Sequence, residues 1–334
     1  MMSNPHRLLV KRCVGNTNND GTIYLSAINF CDNHIENLYL PFFEEYQYYV
    51  GSSCGGFLYF DDLHGHVIVW NPTTKEMKTL PPSHVERPSG ISWTMCKGGG
   101  FGYDSKSDDY KFIRYMTHIY EEEEEDENEE EGYARMVYRG FTTQVELYSY
   151  NSDSWREISH DPSMTSISYR GSAYVDGCLY WLGLRHVPAF VYCVEAFDFA
   201  NEAFSSFALP TTMVSEDWVP DFVDLDGSLG AIICPNKGIS KPVELWVFST
   251  QMLWTKVFDV VLSGVERPLG LGENGRLLFF EGIIDNSDGQ QIQLLVYDRT
   301  TQELKKLDIY DYPRGGLNIL SYVETTAPLP KAKK

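Results

Sequence analysis

Hydrophobic and polar residues alternate in short runs along this chain, and runs with helical spacing are nearly absent. One pattern recurs, in which an alternating run ends in an aromatic residue and is followed by a polar turn and a second alternating run. Val67-Ile68-Val69-Trp70 followed by 77–81 is one copy, and Val243-Glu244-Leu245-Trp246 followed by 254–258 is another. Alternation with a period of two predicts strands that bury one face. The repeating unit is therefore predicted to contain a β-hairpin.

The aromatic residue that ends the first run measures the repeat. It occurs six times, at Tyr24, Trp70, Tyr148, Phe197, Trp246 and Tyr297. Successive copies are 46, 78, 49, 49 and 51 residues apart, and the long interval spans an acidic run, which predicts an insertion over 117–140. Its fixed place in each repeat favours packing between units over a ligand cage. A period near 50 residues with four strands per unit is typical of a β-propeller blade.

Two further strand candidates precede each hairpin, and three of these pairs are joined by Asp176-Gly177, Asp226-Gly227 and Asn274-Gly275. Such dipeptides favour the type I′ hairpin turn, in which both central residues have positive φ. We predict an all-β, six-bladed, kelch-like propeller over 6–326, followed by a disordered tail over 327–334. The predicted blades are 49–82, 98–160, 170–210, 221–261, 268–310, and a first blade of 6–41 closed by a C-terminal strand over 318–325.

The formal net charge is −20, and ten of the acidic residues lie within 121–131. Without those ten the net charge would still be −10, so nucleic acid and anionic membranes are unlikely partners on electrostatic grounds. A basic protein partner is compatible with this charge. For the acidic run itself we expect a solvated, disordered loop, with direct contact to a basic partner as the alternative.

The seven cysteines are odd in number and form no C-x-x-C motif, which excludes a disulfide scaffold and the common zinc patterns. Reduced thiols and the lack of a signal-peptide pattern at the N-terminus lead us to expect a cytoplasmic protein, with the nucleus as a second compartment. His64 and His66 could ligate a metal, but Gly65 between them favours a connecting turn. The glycines of 98–102 lack the Lys-Ser/Thr ending of a phosphate loop and favour an inner strand. We expect no catalytic residue, metal or cofactor, although an active site assembled from distant loops stays an alternative.

In a propeller, the loops between the second and third strands share one face with the loops that join blades. The former are predicted at 61–66, 117–140, 183–190, 235–241 and 282–291, and the latter at 83–97, 211–220 and 262–268. Loops on a rigid scaffold are the usual place for binding residues. The partner-binding candidates on this face are Glu121, Glu122, Glu123, Glu124, Glu125, Asp126, Glu127, Glu129, Glu130, Glu131, Arg185, His186, Glu216, Asp217 and Trp218.

Several ordered motifs resemble the plant F-box-associated domain over about 6–326, most closely in the S-locus F-box and S-locus F-box-like group. They include Gly51-Ser52-Ser53-Cys54-Gly55-Gly56-Phe57-Leu58, Val69-Trp70-Asn71-Pro72, Gly100-Phe101-Gly102-Tyr103-Asp104, Ser154-Trp155-Arg156-Glu157-Ile158 and Gly177-Cys178-Leu179-Tyr180-Trp181. The resemblance implies the substrate-recognition module of an SCF-type E3 ubiquitin ligase, which is a non-catalytic receptor subunit.

The resemblance also implies partners. An F-box ahead of this domain would dock the Skp adaptor and, through it, cullin. Because the residues before Arg7 are too few to form an F-box, we expect this chain not to bind the adaptor by itself. The S-locus group implies recognition of basic S-locus ribonucleases in self-incompatibility. The alternatives are a propeller enzyme, either a metal-dependent oxidase or a glycan hydrolase, and a scaffold without a ubiquitin role.

Overall fold

A computed structural model describes residues 6–14, 22–29, 34–39, 49–125, 134–161, 164–167, 171–186, 190–215, 217–286, 289–311 and 316–333. Twenty-five strands form six small antiparallel sheets, and the sheets are the blades of a six-bladed propeller. This confirms the predicted fold class. One short 3-10 turn, Thr211–Met213, lies between the fourth and fifth blades. None of the described residues form a helix with the length and apolar character that a membrane crossing requires.

Each blade is ordered from the innermost to the outermost strand. The strands are β25 Asn318–Val323, β1 His6–Val14, β2 Thr22–Asn29 and β3 His34–Tyr39 in the first blade; β4 Tyr49–Cys54, β5 Phe57–Asp61, β6 Val67–Trp70 and β7 Met77–Thr79 in the second; and β8 Trp93–Asp104, β9 Asp109–Glu125, β10 Ala134–Ser149 and β11 Ser154–Ile158 in the third.

The fourth blade differs because two strands pair with the inner edge of β14. It contains β12 Met164–Ile167, β13 Ala173–Val175, β14 Cys178–His186, β15 Phe190–Asp198 and β16 Ala203–Ala208. The fifth contains β17 Asp221–Leu225, β18 Ser228–Ile233, β19 Ser240–Phe248 and β20 Trp254–Ser263, and the sixth contains β21 Pro268–Gly272, β22 Leu277–Asn286, β23 Gly289–Asp298 and β24 Glu303–Asp311.

The ring is closed by strands from opposite ends of the chain. β25 pairs antiparallel with β1, with Val323 opposite His6 and Asn318 opposite Lys11. This is the closure that the unmatched C-terminal strand predicted. It gives the first blade its fourth and innermost strand and joins the two ends of the ring.

The hydrophobic core is divided into six clusters, one between each pair of neighbouring blades. In five blades the repeated aromatic residue packs against the preceding blade: Trp70, Tyr148, Phe197, Trp246 and Tyr297. This confirms the packing role that their spacing suggested. Burial of such large rings contributes strongly to the association of adjacent blades.

The tight turns within the blades also have the predicted geometry. At Asp176-Gly177 the φ angles are 46° and 81°, and at Asp226-Gly227 they are 53° and 78°. The glycines of 98–102 lie in β8, as expected for an inner strand. Position 100 requires a glycine, because a Cβ atom at Gly100 would overlap the Leu179 side chain of the next blade.

The acidic insertion differs from the expected disordered loop. β9 continues through Glu125 and β10 begins at Ala134, and their paired residues extend the third blade as a two-stranded ribbon. Glu125 lies opposite Ala134, and Glu121 lies opposite Tyr138. Backbone pairing with β10 holds Glu121 to Glu125, so five of the ten acidic residues of the run are part of a strand.

The C-terminal tail also differs from the disordered segment expected over 327–334. Asn71 Nδ2 donates to the carbonyl oxygens of Thr325 (3.1 Å) and Ala327 (2.8 Å). Leu329 is buried in the cluster between the second and third blades. Lys333 Nζ donates to the carbonyl oxygen of Asp108 in the third blade at 2.8 Å. The tail therefore crosses from the first blade to the third.

Candidate functional site

The upper face of the propeller consists of the loops between second and third strands together with the segments that join blades. Hydrogen bonds connect these loops and the strand ends beside them. Cys96 N donates to Leu63 O at 2.7 Å, Asn236 N to Asp217 O at 3.2 Å, and Glu266 N to Glu281 O at 2.7 Å. The lower face carries the turns within the inner and outer hairpins and the C-terminal tail. These contacts connect the segments between blades with the neighbouring second-to-third-strand connections at three places on the upper face.

An acidic arm rises from the upper face, formed by the parts of β9 and β10 that extend beyond their neighbouring strands, 120–125 and 134–143. Its base is fixed by Ser92, whose Oγ accepts from Glu121 N at 2.9 Å and whose backbone N donates to Ile119 O at 2.9 Å. Higher up, the exposed Arg139 Nε donates to Glu122 Oε2 at 2.8 Å. The arm is thus anchored to the segment that joins the second and third blades.

Only part of the predicted acidic site can be placed. The backbone of Glu123, Glu124 and Glu125 lies in β9, paired with β10. Asp126, Glu127, Glu129, Glu130 and Glu131 lie outside the described residues. The strand places the backbone of Glu121 to Glu125 on one two-stranded ribbon.

Arg185 and His186 end β14 on the upper face. A guanidinium nitrogen of Arg185 lies 3.7 Å from Asp161 Oδ2, and both side chains are partly exposed. Close to Arg185, burial raises the pKa of Glu195, and hydrogen bonds from Ser206 and Cys193 offset that effect only in part. The backbone of His186 pairs with Phe190.

The predicted loop residues between the fourth and fifth blades have different environments. Asp217 forms an ion pair with Lys237, so this carboxylate is already engaged within the upper face. Trp218 packs against the core cluster between those blades, and its indole ring is only partly accessible. Glu216 lies outside the described residues. Of the three, Asp217 is the side chain that a partner could contact together with its lysine.

The two histidines of the second blade form part of a turn. Asp62 Oδ1 accepts from the backbone N of His64 (2.9 Å) and of His66 (2.8 Å), and Asp62 Oδ2 lies 2.7 Å from His66 Nδ1. The carboxylate therefore organises the turn, as the connecting-loop interpretation expected. In the part of the chain that the structure describes, no three His, Cys, Asp or Glu side chains form a group that could hold a metal ion.

Exposed apolar side chains are concentrated on the upper face, and the sequence analysis missed them. The most exposed is Ile239 at 88%, followed by Val261 at 68%, and both lie at the upper end of the fifth blade, just before β19 and near the end of β20. The upper-face set, including the arm, is Leu63, Trp93, Tyr138, Phe141, Val191, Tyr192, Val219, Ile239, Val261 and Ile283. The remaining exposed large apolar residues described are Met77, Met252, Leu253 and Val257. An apolar set beside charged residues is typical of a protein-binding surface.

A ring of six blades, five with four strands and one with five, defines a β-propeller domain with an elaborated upper face. Residues 17–324 match the F-box associated beta propeller domain, and the chain belongs to that family. F-box protein CPR1 of Arabidopsis thaliana is 26% identical over 286 residues, covering 79% of this chain and 64% of that protein. An F-box/kelch-repeat protein of the same plant is 23% identical over 233 residues, covering 68% of this chain and 57% of that protein. The chain thus spans less than two thirds of the length of either relative.

Among solved structures, an oligogalacturonate lyase from Vibrio parahaemolyticus is 10% identical, with a TM-score of 0.46 over 89% of this chain and 78% of that one. This likeness is too distant to carry an argument about function.

Proposed function

We propose that this domain is the substrate-recognition module of an SCF-type ubiquitin ligase and that it binds its target protein through the upper face. The domain acts by binding and leaves the chemistry of ubiquitin transfer to other subunits. The concentration of exposed apolar side chains on the upper face, beside the acidic arm, is the observation that carries this proposal. The F-box names of the relatives support the link to ubiquitin ligases.

The expected target is a basic protein with apolar contact residues. The net charge of −20 and the carboxylates of the arm favour approach of a positively charged surface. Ile239, Val261 and Trp93 then provide apolar area that loses water when the complex forms. A basic S-locus ribonuclease has the right charge and serves as a defined probe.

Matched pairs of substitutions test the face. Ile239→Asp with Val261→Asp changes the upper face, and Met252→Asp with Leu253→Asp changes the lower face. All four side chains are at least 60% exposed, so neither pair should impair folding. We expect proteins captured from plant extract by the unmodified domain to be lost with the upper pair and retained with the lower pair.

The captured proteins are then purified and their affinities measured. The upper pair should weaken binding by about tenfold or more, as expected for loss of central apolar contacts, and the lower pair by less than about twofold. A target of the ligase should also accumulate ubiquitin conjugates in extract in a manner that the upper pair abolishes. Equal losses with both pairs would remove the upper face from target binding.

A further inference from the structure

The innermost strands surround a central channel, and that channel is a second candidate site. The cavity measures about 1260 Å³ and is lined by residues from all six blades. Its volume exceeds that of most small-molecule pockets. Seven carboxylates line it, including Asp61, Asp221 and Glu324, against two cationic side chains, Lys11 and Arg267. Arg267 is already paired with Glu281 through contacts of 2.6 and 2.7 Å.

Some side chains of the second strands reach this channel, because the inner strands carry a glycine or are interrupted at those points. Gly51 of β4 faces Tyr59 of β5, and a Cβ atom at Gly51 would overlap the Tyr59 ring. In the fourth blade the inner edge is divided between β12 and β13, and Trp181 of β14 lines the channel. Tyr115 of β9 lines it as well, with its ring 5.5 Å from that of Trp181.

Two buried polar atoms in this wall have no hydrogen-bond partner among the described residues. They are Asp61 Oδ2 and Trp181 Nε1, and each residue is 2% exposed. An unpaired buried carboxylate oxygen or indole N–H is costly, because folding removes its water without replacing it. Both residues line the same cavity, and because the two atoms are almost fully buried, a ligand in the channel reaches them when their side chains turn toward it.

The chemistry of the wall specifies the ligand. A carboxylate with an unsatisfied oxygen pairs with an ammonium or guanidinium group. Aromatic rings such as Tyr115 and Trp181 attract the same cations through their faces and pack on aliphatic carbon. The indole N–H requires an oxygen acceptor on the ligand.

We propose that the central channel binds an organic cation that also carries a carbonyl or carboxylate oxygen, which is the chemistry of an arginine or lysine residue. Its charged group pairs with Asp61, its aliphatic part packs beside Tyr115 and Trp181, and its oxygen accepts from Trp181 Nε1. The source is either a free basic amino acid or a side chain presented by a protein. This inference does not depend on the upper face.

The environment of Asp61 suits a cationic ligand. Burial and the nearby charge of Asp62 raise the pKa of Asp61 to about 7, and Arg114 and Lys11 offset this only in part. A bound cation would favour the ionised carboxylate. Binding near pH 6.5 should therefore release protons, which calorimetry in buffers of different ionisation enthalpy detects.

The test compares N-acetyl-arginine amide with N-acetyl-citrulline amide, which has nearly the same shape without the charge. We expect the arginine compound to bind to the purified domain at least about tenfold more tightly, as for loss of a buried charge pair. Asp61→Asn should weaken arginine binding by about tenfold or more, and Trp181→Phe, which keeps an aromatic ring but removes the N–H, by about threefold or more. Asp259→Asn, on the exposed outer strand β20, should leave it unchanged.

Equal binding of both compounds, no binding of either, or full arginine affinity in Asp61→Asn would overturn the proposal. The comparison of the arginine and citrulline compounds on the unmodified protein tests the proposal even if Asp61→Asn does not fold. The peptide Gly-Gly-Arg-Gly-Gly separates the sources: tighter binding of the peptide by about tenfold indicates a protein segment, and equal or tighter binding of free arginine indicates the amino acid. Because Ile239→Asp with Val261→Asp leaves the channel lining intact, failure of target binding and failure of channel binding are separable.

Discussion

Buried charges in this propeller are mostly paired, which makes Asp61 unusual. Lys111 Nζ lies 2.6 Å from Asp104 Oδ2 and 2.7 Å from Glu202 Oε1, within the contact between the third and fourth blades. Such pairs offset the loss of water by direct ionic hydrogen bonds. Asp61 Oδ2 lacks that compensation among the described residues, and the free energy of folding should reflect it.

Asp61→Asn is expected to stabilise the protein at neutral and higher pH. The folded pKa of Asp61 is raised from 3.8 to about 7, so the folded state holds a proton that the unfolded state has lost. The unfolding free energy of the unmodified protein therefore falls as pH rises from about 4 to about 7 and is level above that range. Because asparagine does not titrate, Asp61→Asn removes this fall, and its unfolding free energy at pH 8 should be about 2–4 kcal/mol higher than that of the unmodified protein. At pH 6 this difference should be about 1 kcal/mol smaller.

Urea denaturation at pH 6 and pH 8 measures this difference. Asp259→Asn, an exposed carboxylate, is the control and should change the unfolding free energy by less than about 0.5 kcal/mol at either pH. An Asp61→Asn protein that is no more stable than the unmodified one at pH 8 would contradict the assignment of a raised pKa.

Individual side-chain environments were the least predictable feature of this sequence. Trp218 was expected to contact a partner because it lies in a loop between blades, but its ring packs on the core. Nothing in the local sequence distinguishes a loop tryptophan that folds inward from one that stays exposed. Whether Asp61 Oδ2 and Trp181 Nε1 find hydrogen-bond partners depends on blades that are far apart in the sequence. No local motif could therefore show that these two atoms are unpaired.

At the level of elements, the acidic arm should govern the rate at which a basic target associates. Replacing the glutamates of 121–125 with glutamine keeps the strand and removes five charges. We expect the association rate of a basic target at 50 mM NaCl to fall by about tenfold and its salt dependence to flatten, because steering acts through screened charge. Stopped-flow or biosensor kinetics at 50 and 300 mM NaCl measure both effects.

The control removes exposed carboxylates from the outer strands, through Asp259→Asn, Glu303→Gln and Asp308→Asn. These lie away from the upper face, and their loss should change the association rate by less than about threefold. If the arm variant associates as fast as this control at 50 mM NaCl, the arm has no steering role.

The C-terminal tail is a second element whose role is testable. Leu329 is 8% exposed and packs in the cluster between the second and third blades. Leu329→Ala should lower the unfolding free energy by about 2 kcal/mol, since it removes buried apolar area. The exposed Lys331→Ala in the same segment is the matched control and should have little effect on urea denaturation. Equal stability of both variants would show that the tail does not strengthen the ring.

The arm and the tail also show the limits of sequence patterns for elements. Strand alternation identified the hairpins of the repeats because one face of each is buried. It failed at 121–125, where five consecutive glutamates show no alternation in the sequence and the pairing with β10 extends the strand. It failed again in the tail, where one buried leucine and hydrogen bonds between side chains and backbone atoms hold a segment whose composition resembles a disordered end.

The architecture of the whole molecule was the most predictable level, because it is repeated. Six copies of one aromatic position, separated by about 50 residues, specify six equivalent blades. In five of the six copies this aromatic residue packs against the preceding blade, so the repeat reflects a contact between neighbouring blades. The unmatched strand at the C-terminus then specified how the ring closes. The exposed apolar set on the upper face lacks such a repeat and became visible only in the assembled ring.

Ring closure itself can be tested by moving β25. Because Val323 lies opposite His6, residues 316–323 can be joined to His6 through a two-residue Asn-Gly turn, giving a permuted chain that ends at residue 311. A truncated chain of residues 6–311 lacks β25, and both chains lack the tail, so they differ mainly in the closing strand.

The two chains should unfold differently. β25 supplies Leu320 and Tyr322 to the cluster with the second blade, and Ile319 to the cluster with the sixth. Without it, both interfaces of the first blade lose core residues, and adjacent inner strands lose a neighbour. We therefore expect one cooperative urea transition for the permuted chain, and an earlier, broader transition with a smaller m value for the truncated chain. If both chains unfold at the same urea concentration with the same m value, closure by β25 contributes nothing to the cooperativity of the ring.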